Sequence, residues 1–84
     1  MNYVYILKSL RNNDIYVGFT EDLRVSVKYH NSGLVRATKP NMPWKLVYYE
    51  AYLEKADATK RERQLKMHKA KADLKIQIKN SLEH

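Results

Sequence analysis

The sequence contains no cysteine, which excludes disulfide bonds and cysteine-bound zinc as ways of holding the chain together. Its only histidines are His30, His68 and His84, which are too few and too scattered for a structural metal site. The core of this small chain must therefore come from packed apolar and aromatic side chains. Seven tyrosines, one phenylalanine and one tryptophan supply much of that material.

The sequence also lacks any apolar run near the roughly 18 residues that a membrane span needs. The N-terminus has no basic segment followed by an apolar run and a cleavage site, so no signal peptide is predicted. A cytoplasmic location without membrane attachment is the default expectation. Residues 82–84 match the start of a purification tag, so the sequence predicts a single domain over residues 1–81.

Acidic residues are scarce: there are 9 Asp and Glu against 16 Lys and Arg, giving a net charge of +7. The stretch from Lys55 to Lys79 alone holds nine basic and three acidic residues. Such an excess is typical of proteins that bind nucleic-acid phosphates, with an affinity that falls steeply with salt. It is also found on lysine-rich surfaces that only keep a domain soluble. Charge alone leaves both interpretations open.

Two short segments near the N-terminus predict a β-hairpin. Residues 2–8 and 15–19 are rich in β-branched and aromatic side chains, and the polar residues 11–14 between them favour a turn. Alternation assigns the side chains of the first strand to two faces: Tyr3, Tyr5 and Leu7 to one, Val4 and Ile6 to the other.

A helix is predicted after the hairpin. Thr20 is expected to cap it, with Glu21 and Asp22 in its first turn, and it should run to about Asn31. Gly33 can then take a left-handed conformation that ends it.

The remainder of the chain predicts a loop, a strand and two helices. Residues 34–43 are predicted to form the loop and residues 44–52 the strand. Residues 57–69 and 73–80 read as the helices. The order β-β-α-β-α-α predicts an α+β fold in which helices flank a small three-stranded antiparallel sheet.

Five segments, taken in order, resemble the GIY-YIG nucleases. Tyr3-Val4-Tyr5 and Tyr16-Val17-Gly18 match the two motifs after which the family is named, with Tyr16 eleven residues after Tyr5. The other three segments are Asp22-Leu23 with His30-Asn31-Ser32-Gly33, then Pro43–Glu50, then Ala58–Lys66. The resemblance covers nearly the whole chain and implies a GIY-YIG-type fold. It also implies cleavage of phosphodiester bonds with one divalent metal ion, usually Mg²⁺.

The resemblance assigns roles to single residues. Tyr16 matches the tyrosine that helps to activate the attacking water, and Tyr5 matches the tyrosine that supports that site. His30 occupies a helix position that holds His or Tyr in the family, and Glu62 matches the metal-binding carboxylate. The pattern alone also allows structural roles for these residues. The tyrosines would then belong to the core of the sheet, His30 would stabilise the end of the helix, and Glu62 would be a surface partner of Lys66.

One expected catalytic position departs from the family pattern. The family's helix arginine falls three residues after Leu23, and this sequence has Ser26 there. Serine can hydrogen-bond a phosphate but carries no charge. Arg24 and Lys28 each lie about 200° around an ideal helix from that position, so neither replaces it directly. Arg36 and Arg61 remain as alternative sources of the charge.

Seven basic residues form the predicted contact set for nucleic acid, which is expected to be DNA: Arg24, Lys28, Arg36, Lys39, Arg61, Arg63 and Lys66. No base-reading pattern is evident, so little sequence specificity is expected, and targeting by a separate protein is an open possibility. Trp44, Tyr48, Tyr49 and Tyr52 either stack on exposed bases or fill the core.

Three functions therefore compete. The first is a Mg²⁺-dependent endonuclease, weak or inactive because of Ser26. The second is a non-catalytic nucleic-acid-binding module on the same fold, and the third is a basic RNA-binding α+β domain. The paired tyrosine motifs favour the first two over the third.

Overall fold

The computed structural model describes all 84 residues. Its elements, in chain order, are β1 (Asn2–Ser9), β2 (Ile15–Thr20), α1 (Leu23–Asn31), a short 3-10 turn (Lys39–Asn41), β3 (Trp44–Tyr52), α2 (Lys55–Leu65), α3 (His68–Gln77) and α4 (Lys79–Glu83). The predicted α+β fold is confirmed, and both strands of the hairpin extend one residue further than predicted.

The sheet has the order β2-β1-β3, and both pairings are antiparallel. The central strand β1 pairs Tyr5 with Gly18 on one side and with Tyr49 on the other. A bulge interrupts the second pairing between Ile6 and Leu7. The site described below is built around Tyr5, on the strand that has a neighbour on each side.

The two faces of the sheet bury different side chains. One face packs against α2 and α3 in a cluster of Val4, Ile6, Val17, Ala58, Leu65, Leu74 and Ile78. The opposite face buries Tyr5, Leu7 and Trp44 beneath side chains of α1. This is the alternation that the sequence predicts for β1. Each fully buried Val, Leu or Ile contributes about 1.5–3 kcal/mol.

The start of α1 differs from the prediction. Asp22, not Thr20, is the cap: its carboxylate accepts a hydrogen bond from the Val25 amide at 3.2 Å. Thr20 instead accepts from the Asp22 amide through its hydroxyl at 3.1 Å. The acidic residues thus precede the first turn of the helix. The end of α1 is as predicted, because Gly33 takes the left-handed conformation with φ +80°.

The break between α2 and α3 falls at Lys66–Met67, earlier than the sequence predicts. Leu65 and Leu74 are both buried in the same cluster. In one continuous helix, residues nine apart lie about 180° from each other, so only one of them would face the sheet. The bend at residues 66–67 brings both leucines into the core.

Arg61 is occupied by an ion pair. Its guanidinium donates to both Glu50 carboxylate oxygens at 2.9–3.2 Å, and the Tyr48 and Tyr52 hydroxyls donate to the same carboxylate. Burial acts to raise the pKa of the Glu50 carboxyl, but these hydrogen bonds outweigh it and hold the pKa below its ordinary value. Burial and the bond to Glu50 raise the pKa of Tyr48 to about 12. The network fastens α2 to β3.

Replacing Arg61 by alanine is therefore expected to destabilise the fold. The change leaves a largely buried carboxylate without its strongest donor, at a cost of about 1–3 kcal/mol. For a domain of this size that corresponds to a fall in Tm of at least ~4 °C. Thermal unfolding of Arg61→Ala beside Arg63→Ala checks this, because Arg63 is exposed on the same helix. Equal stability of the two variants would contradict the role given to the ion pair.

Candidate active site

Tyr5 and His30 meet between the sheet and α1. The Tyr5 hydroxyl lies 2.8 Å from His30 Nε2, and both residues are buried. His30 reaches this position from the last turn of α1 because Leu23 and Val27, earlier on the same helix, pack on the cluster that contains Tyr5. His30 is thus held by side chains of the sheet and the following loop, and does not cap the helix.

A second hydrogen bond fixes the other side of the imidazole. Thr38 Oγ1 lies 2.8 Å from His30 Nδ1 and 3.3 Å from the Val35 carbonyl oxygen. A threonine hydroxyl has one proton. We assign that proton to Val35, so that His30 Nδ1 donates to Thr38 and Nε2 accepts from Tyr5. Burial lowers the pKa of His30, which agrees with a neutral ring.

The loop that carries Thr38 is anchored by Trp44 and Asn31. The indole N–H of Trp44 donates to the Thr38 carbonyl at 2.9 Å. The Asn31 side chain accepts from the Trp44 amide at 2.6 Å and donates to its carbonyl at 2.8 Å. The end of α1, the loop and the start of β3 therefore form one hydrogen-bonded unit around His30.

Tyr16 lies beside this unit on β2. Its ring centroid is 4.8 Å from that of His30 and 6.3 Å from that of Trp44, both in tilted or edge-on arrangements. The Tyr5 ring is 6.4 Å away. The Tyr16 ring is half-buried, and its hydroxyl takes part in none of the side-chain hydrogen bonds that fix Tyr5, His30 and Trp44.

Gly18 makes room for Tyr5. A Cβ atom at Gly18 would lie 2.4 Å from both Cζ and the hydroxyl oxygen of Tyr5. The tyrosine ring therefore crosses the backbone of β2 where a side chain would otherwise stand. Glycine is required here by close approach and not by an unusual φ.

Gly18→Ala is consequently expected to destabilise the protein by about 1–3 kcal/mol, although Ala normally stabilises a strand relative to Gly by roughly 0.5–1 kcal/mol. The added methyl group forces Tyr5 away from His30. A double-mutant cycle with Tyr5→Ala checks the cause, because all three nearest atoms belong to Tyr5. The penalty should disappear once the ring is gone, and its persistence would point to backbone strain.

Ser26 and Glu62 complete the surroundings of the Tyr5 hydroxyl. Burial raises the pKa of Tyr5, the neighbouring Ser26 hydroxyl opposes that rise, and the charges of Tyr16 and Glu62 add to it. Glu62 comes from α2, with its side chain 22% exposed and one oxygen 3.3 Å from Lys66 Nζ. Side chains from β2, α1 and α2 thus influence the pKa of Tyr5 on β1.

The family model described as the GIY-YIG catalytic domain matches residues 1–76. The chain belongs to the GIY-YIG family. A UPF0213 protein of Clostridium perfringens is 39% identical over 82 residues, which is 96% of this chain and 85% of that protein. One from Staphylococcus haemolyticus is 34% identical over 76 residues, or 89% and 92% of the two chains.

The fold of this GIY-YIG chain is also that of a solved relative. The solution NMR structure of a UPF0213 protein of Bacillus halodurans has 33% sequence identity and a TM-score of 0.54. The match covers 88% of this chain and 82% of that one. Apart from the fold, no helix of the chain combines the length and apolarity that crossing a bilayer requires.

The donors of the GIY-YIG site fit a hard cation held by one protein carboxylate. Glu62 would supply that carboxylate, and Tyr5, Tyr16 and Ser26 carry hydroxyl oxygens. No group of three or more His, Cys, Asp or Glu is placed to hold an ion by itself. Mg²⁺ keeps several waters and binds through one or two carboxylates plus substrate phosphate, so a single Glu62 is compatible with it.

The predicted phosphate-contact residues divide into two groups. Arg61 is directed to Glu50, so its guanidinium is engaged in the fold and less available to a phosphate or as a substitute for the absent arginine. The other six are exposed: Arg24 and Lys28 on α1, Arg36 and Lys39 on the loop, Arg63 and Lys66 on α2. Those six remain candidates for phosphate binding.

Sequence reasoning missed Thr38. Thr38 lies in a loop without periodicity, so no pattern indicates that it is 1% exposed and bonded to His30.

Proposed function

We propose that this GIY-YIG chain is a divalent-metal-dependent endonuclease of low intrinsic rate that hydrolyses phosphodiester bonds of DNA. The observation that carries the proposal is the fixed Tyr5–His30 pair, with the Tyr16 ring 4.8 Å from the His30 ring and the charge of Glu62 acting on Tyr5.

In this proposal the chain's own residues position the reactants. Tyr5 and Thr38 hold the His30 ring through both nitrogens, and the ring supports Tyr16 from the side. The Tyr16 hydroxyl then orients a water molecule toward the phosphorus. The water oxygen forms a bond to phosphorus and the ester bond to the leaving oxygen breaks. The attacking water loses a proton to solvent, and the leaving oxygen takes up a proton from solvent. Fixed geometry of this kind accounts for much of the rate of an enzyme.

Glu62 would hold the metal ion, expected to be Mg²⁺, and the ion would supply positive charge to the phosphate oxygens. The exposed lysines and arginines attract the polyanion without recognising its sequence. Substrate choice then depends on the shape of the nucleic acid or on a separate targeting protein.

Ser26 is the reason for expecting a low rate, and it also supports a second candidate function. The residue borders the Tyr5 hydroxyl, where a cation would stabilise the charge that develops on the phosphate. Removing one such donor typically lowers the rate by roughly 10²–10³. If the remaining rate is negligible, the same surface serves as a non-catalytic nucleic-acid-binding module.

The deciding experiment is a cleavage assay on single-stranded, duplex, branched and flapped DNA, with Mg²⁺ and with EDTA. We expect slow, Mg²⁺-dependent cleavage of at least one substrate. Binding to all of them with no cleavage after long incubation at high enzyme concentration would establish the second candidate function. Cleavage that persists in EDTA would contradict the metal requirement.

A further inference from the structure

A cleft of about 400 Å³ opens beside Tyr16, next to the catalytic candidates. Its volume lies within the usual range for small-ligand sites, roughly 300–1,000 Å³. Three parts of the chain form its walls: the hairpin turn with Asn13 and Asp14, the loop with Asn41, and α3 with Lys71 and Lys75. Tyr16 and Trp44 lie between these walls.

The charges of the cleft are arranged unevenly. Lys71 and Lys75 stand one helical turn apart on α3, and neither belongs to any of the ion pairs of the structure. The opposite side carries amides and one carboxylate, and the Asn41 amide lies 3.5 Å from Asp14. The two positive charges of Lys71 and Lys75 outweigh the one negative charge of Asp14, so the cleft favours an anionic ligand. The negative charge of that ligand should lie beside the lysines of α3 and away from Asp14.

We propose that this cleft binds an unpaired nucleotide of the nucleic-acid substrate, adjoining the phosphate to be cleaved. Lys71 and Lys75 hold its phosphate. The base lies toward Tyr16 and Trp44, with its polar edge facing Asn13, Asp14 and Asn41, which offer both donors and acceptors. A base within a duplex has that edge occupied by its partner, so the cleft selects a nucleotide outside a paired stack.

This inference rests on the proposed function, because Tyr16 joins the cleft to the cleavage site, and it adds a substrate class to it. Plain lysine-mediated attraction would distinguish poorly between paired and unpaired nucleotides. Lys71 and Lys75 line the same cleft as the Asn13 and Asn41 amides and the aromatic rings of Tyr16 and Trp44. The preference for an unpaired nucleotide is therefore the property to measure.

The test compares a fluorescent single-stranded oligonucleotide with a blunt duplex of the same length, by anisotropy in EDTA so that no cleavage occurs. The variant Lys71→Gln/Lys75→Gln keeps most of both aliphatic stems. Its control, Lys60→Gln/Lys69→Gln, removes the same charge from exposed lysines outside the cleft. Melting temperatures of both variants establish that they are folded.

We expect wild type and control to prefer the single strand. The cleft variant should bind that strand roughly tenfold more weakly, lose the preference, and show a salt slope lower by about 1. Equal losses in the two variants would overturn the proposal, since the lysines would then act through net charge alone. Absence of binding by wild type would overturn both proposals, whereas preferential binding without Mg²⁺-dependent cleavage would remove only the nuclease.

Discussion

Glu62→Gln is expected to lower Mg²⁺-dependent cleavage by at least roughly 10²–10³-fold while leaving nucleic-acid binding in EDTA nearly unchanged. The substitution keeps the size of the side chain and its position on α2. It removes a carboxylate charge that contributes to the raised pKa of Tyr5. A neutral amide is a poor ligand for Mg²⁺ when no other carboxylate is at hand.

Two variants separate this role from that of an ordinary helix residue. Glu54→Gln makes the same chemical change at an exposed position before α2 and should leave cleavage unaltered. Lys66→Gln breaks the ion pair with Glu62, which as a surface i,i+4 pair contributes only about 0.3–0.5 kcal/mol. If Glu62 serves only that pair, Glu62→Gln will be as mild as Lys66→Gln at saturating substrate, where loss of a phosphate contact by Lys66 no longer matters, and the metal assignment fails.

The elements that the sequence predicted best are those with regular alternation. The third strand has the predicted bounds, and β1 divides its side chains between the two faces as expected. Alternation is a local property, so it can be read without knowledge of the neighbours. The helix break at Lys66–Met67 is not local. It follows from the need to bring two leucines to one core, a requirement that only the assembled sheet imposes.

The residues of the site also divide into those that a local sequence pattern indicates and those that only the folded structure brings together. Tyr5, Tyr16, His30, Ser26 and Glu62 could be named because the resemblance supplied their order and spacing. The ion pair of Arg61 with Glu50 could not be predicted, because the sequence around a basic residue on a basic helix does not indicate which carboxylate faces it in the fold. The contact of Thr38 with His30 could not be predicted, since the position of Thr38 depends on a loop whose path is set by Trp44 and Asn31. Contacts that join distant segments decide which of several similar residues belong to a site.

Ser26→Arg is expected to raise the cleavage rate by roughly 10²–10³, the inverse of losing one electrostatic donor. Ser26 is half-buried on the side of α1 that faces Tyr5, and the longer side chain would bring a guanidinium toward the phosphate position. Val25→Arg is the matched control. It adds the same charge about 100° around the helix, at a residue that is 45% exposed. Single-turnover cleavage with Mg²⁺ measures the effect.

A second readout makes the Ser26→Arg experiment independent of activity. Burial raises the pKa of Tyr5, and a guanidinium beside its hydroxyl favours the charged form, so the arginine should bring that pKa down. Titration of the Tyr5 ring carbon by NMR reports this in Ser26→Arg and should show no change in Val25→Arg. A lowered pKa without faster cleavage would mean that the charge reaches the site but that the chemistry is absent. The chain would then be the non-catalytic binding module, with the arrangement around His30 retained for structure. A raised rate in Ser26→Arg alone would identify the missing charge as the reason for slow cleavage by the natural sequence.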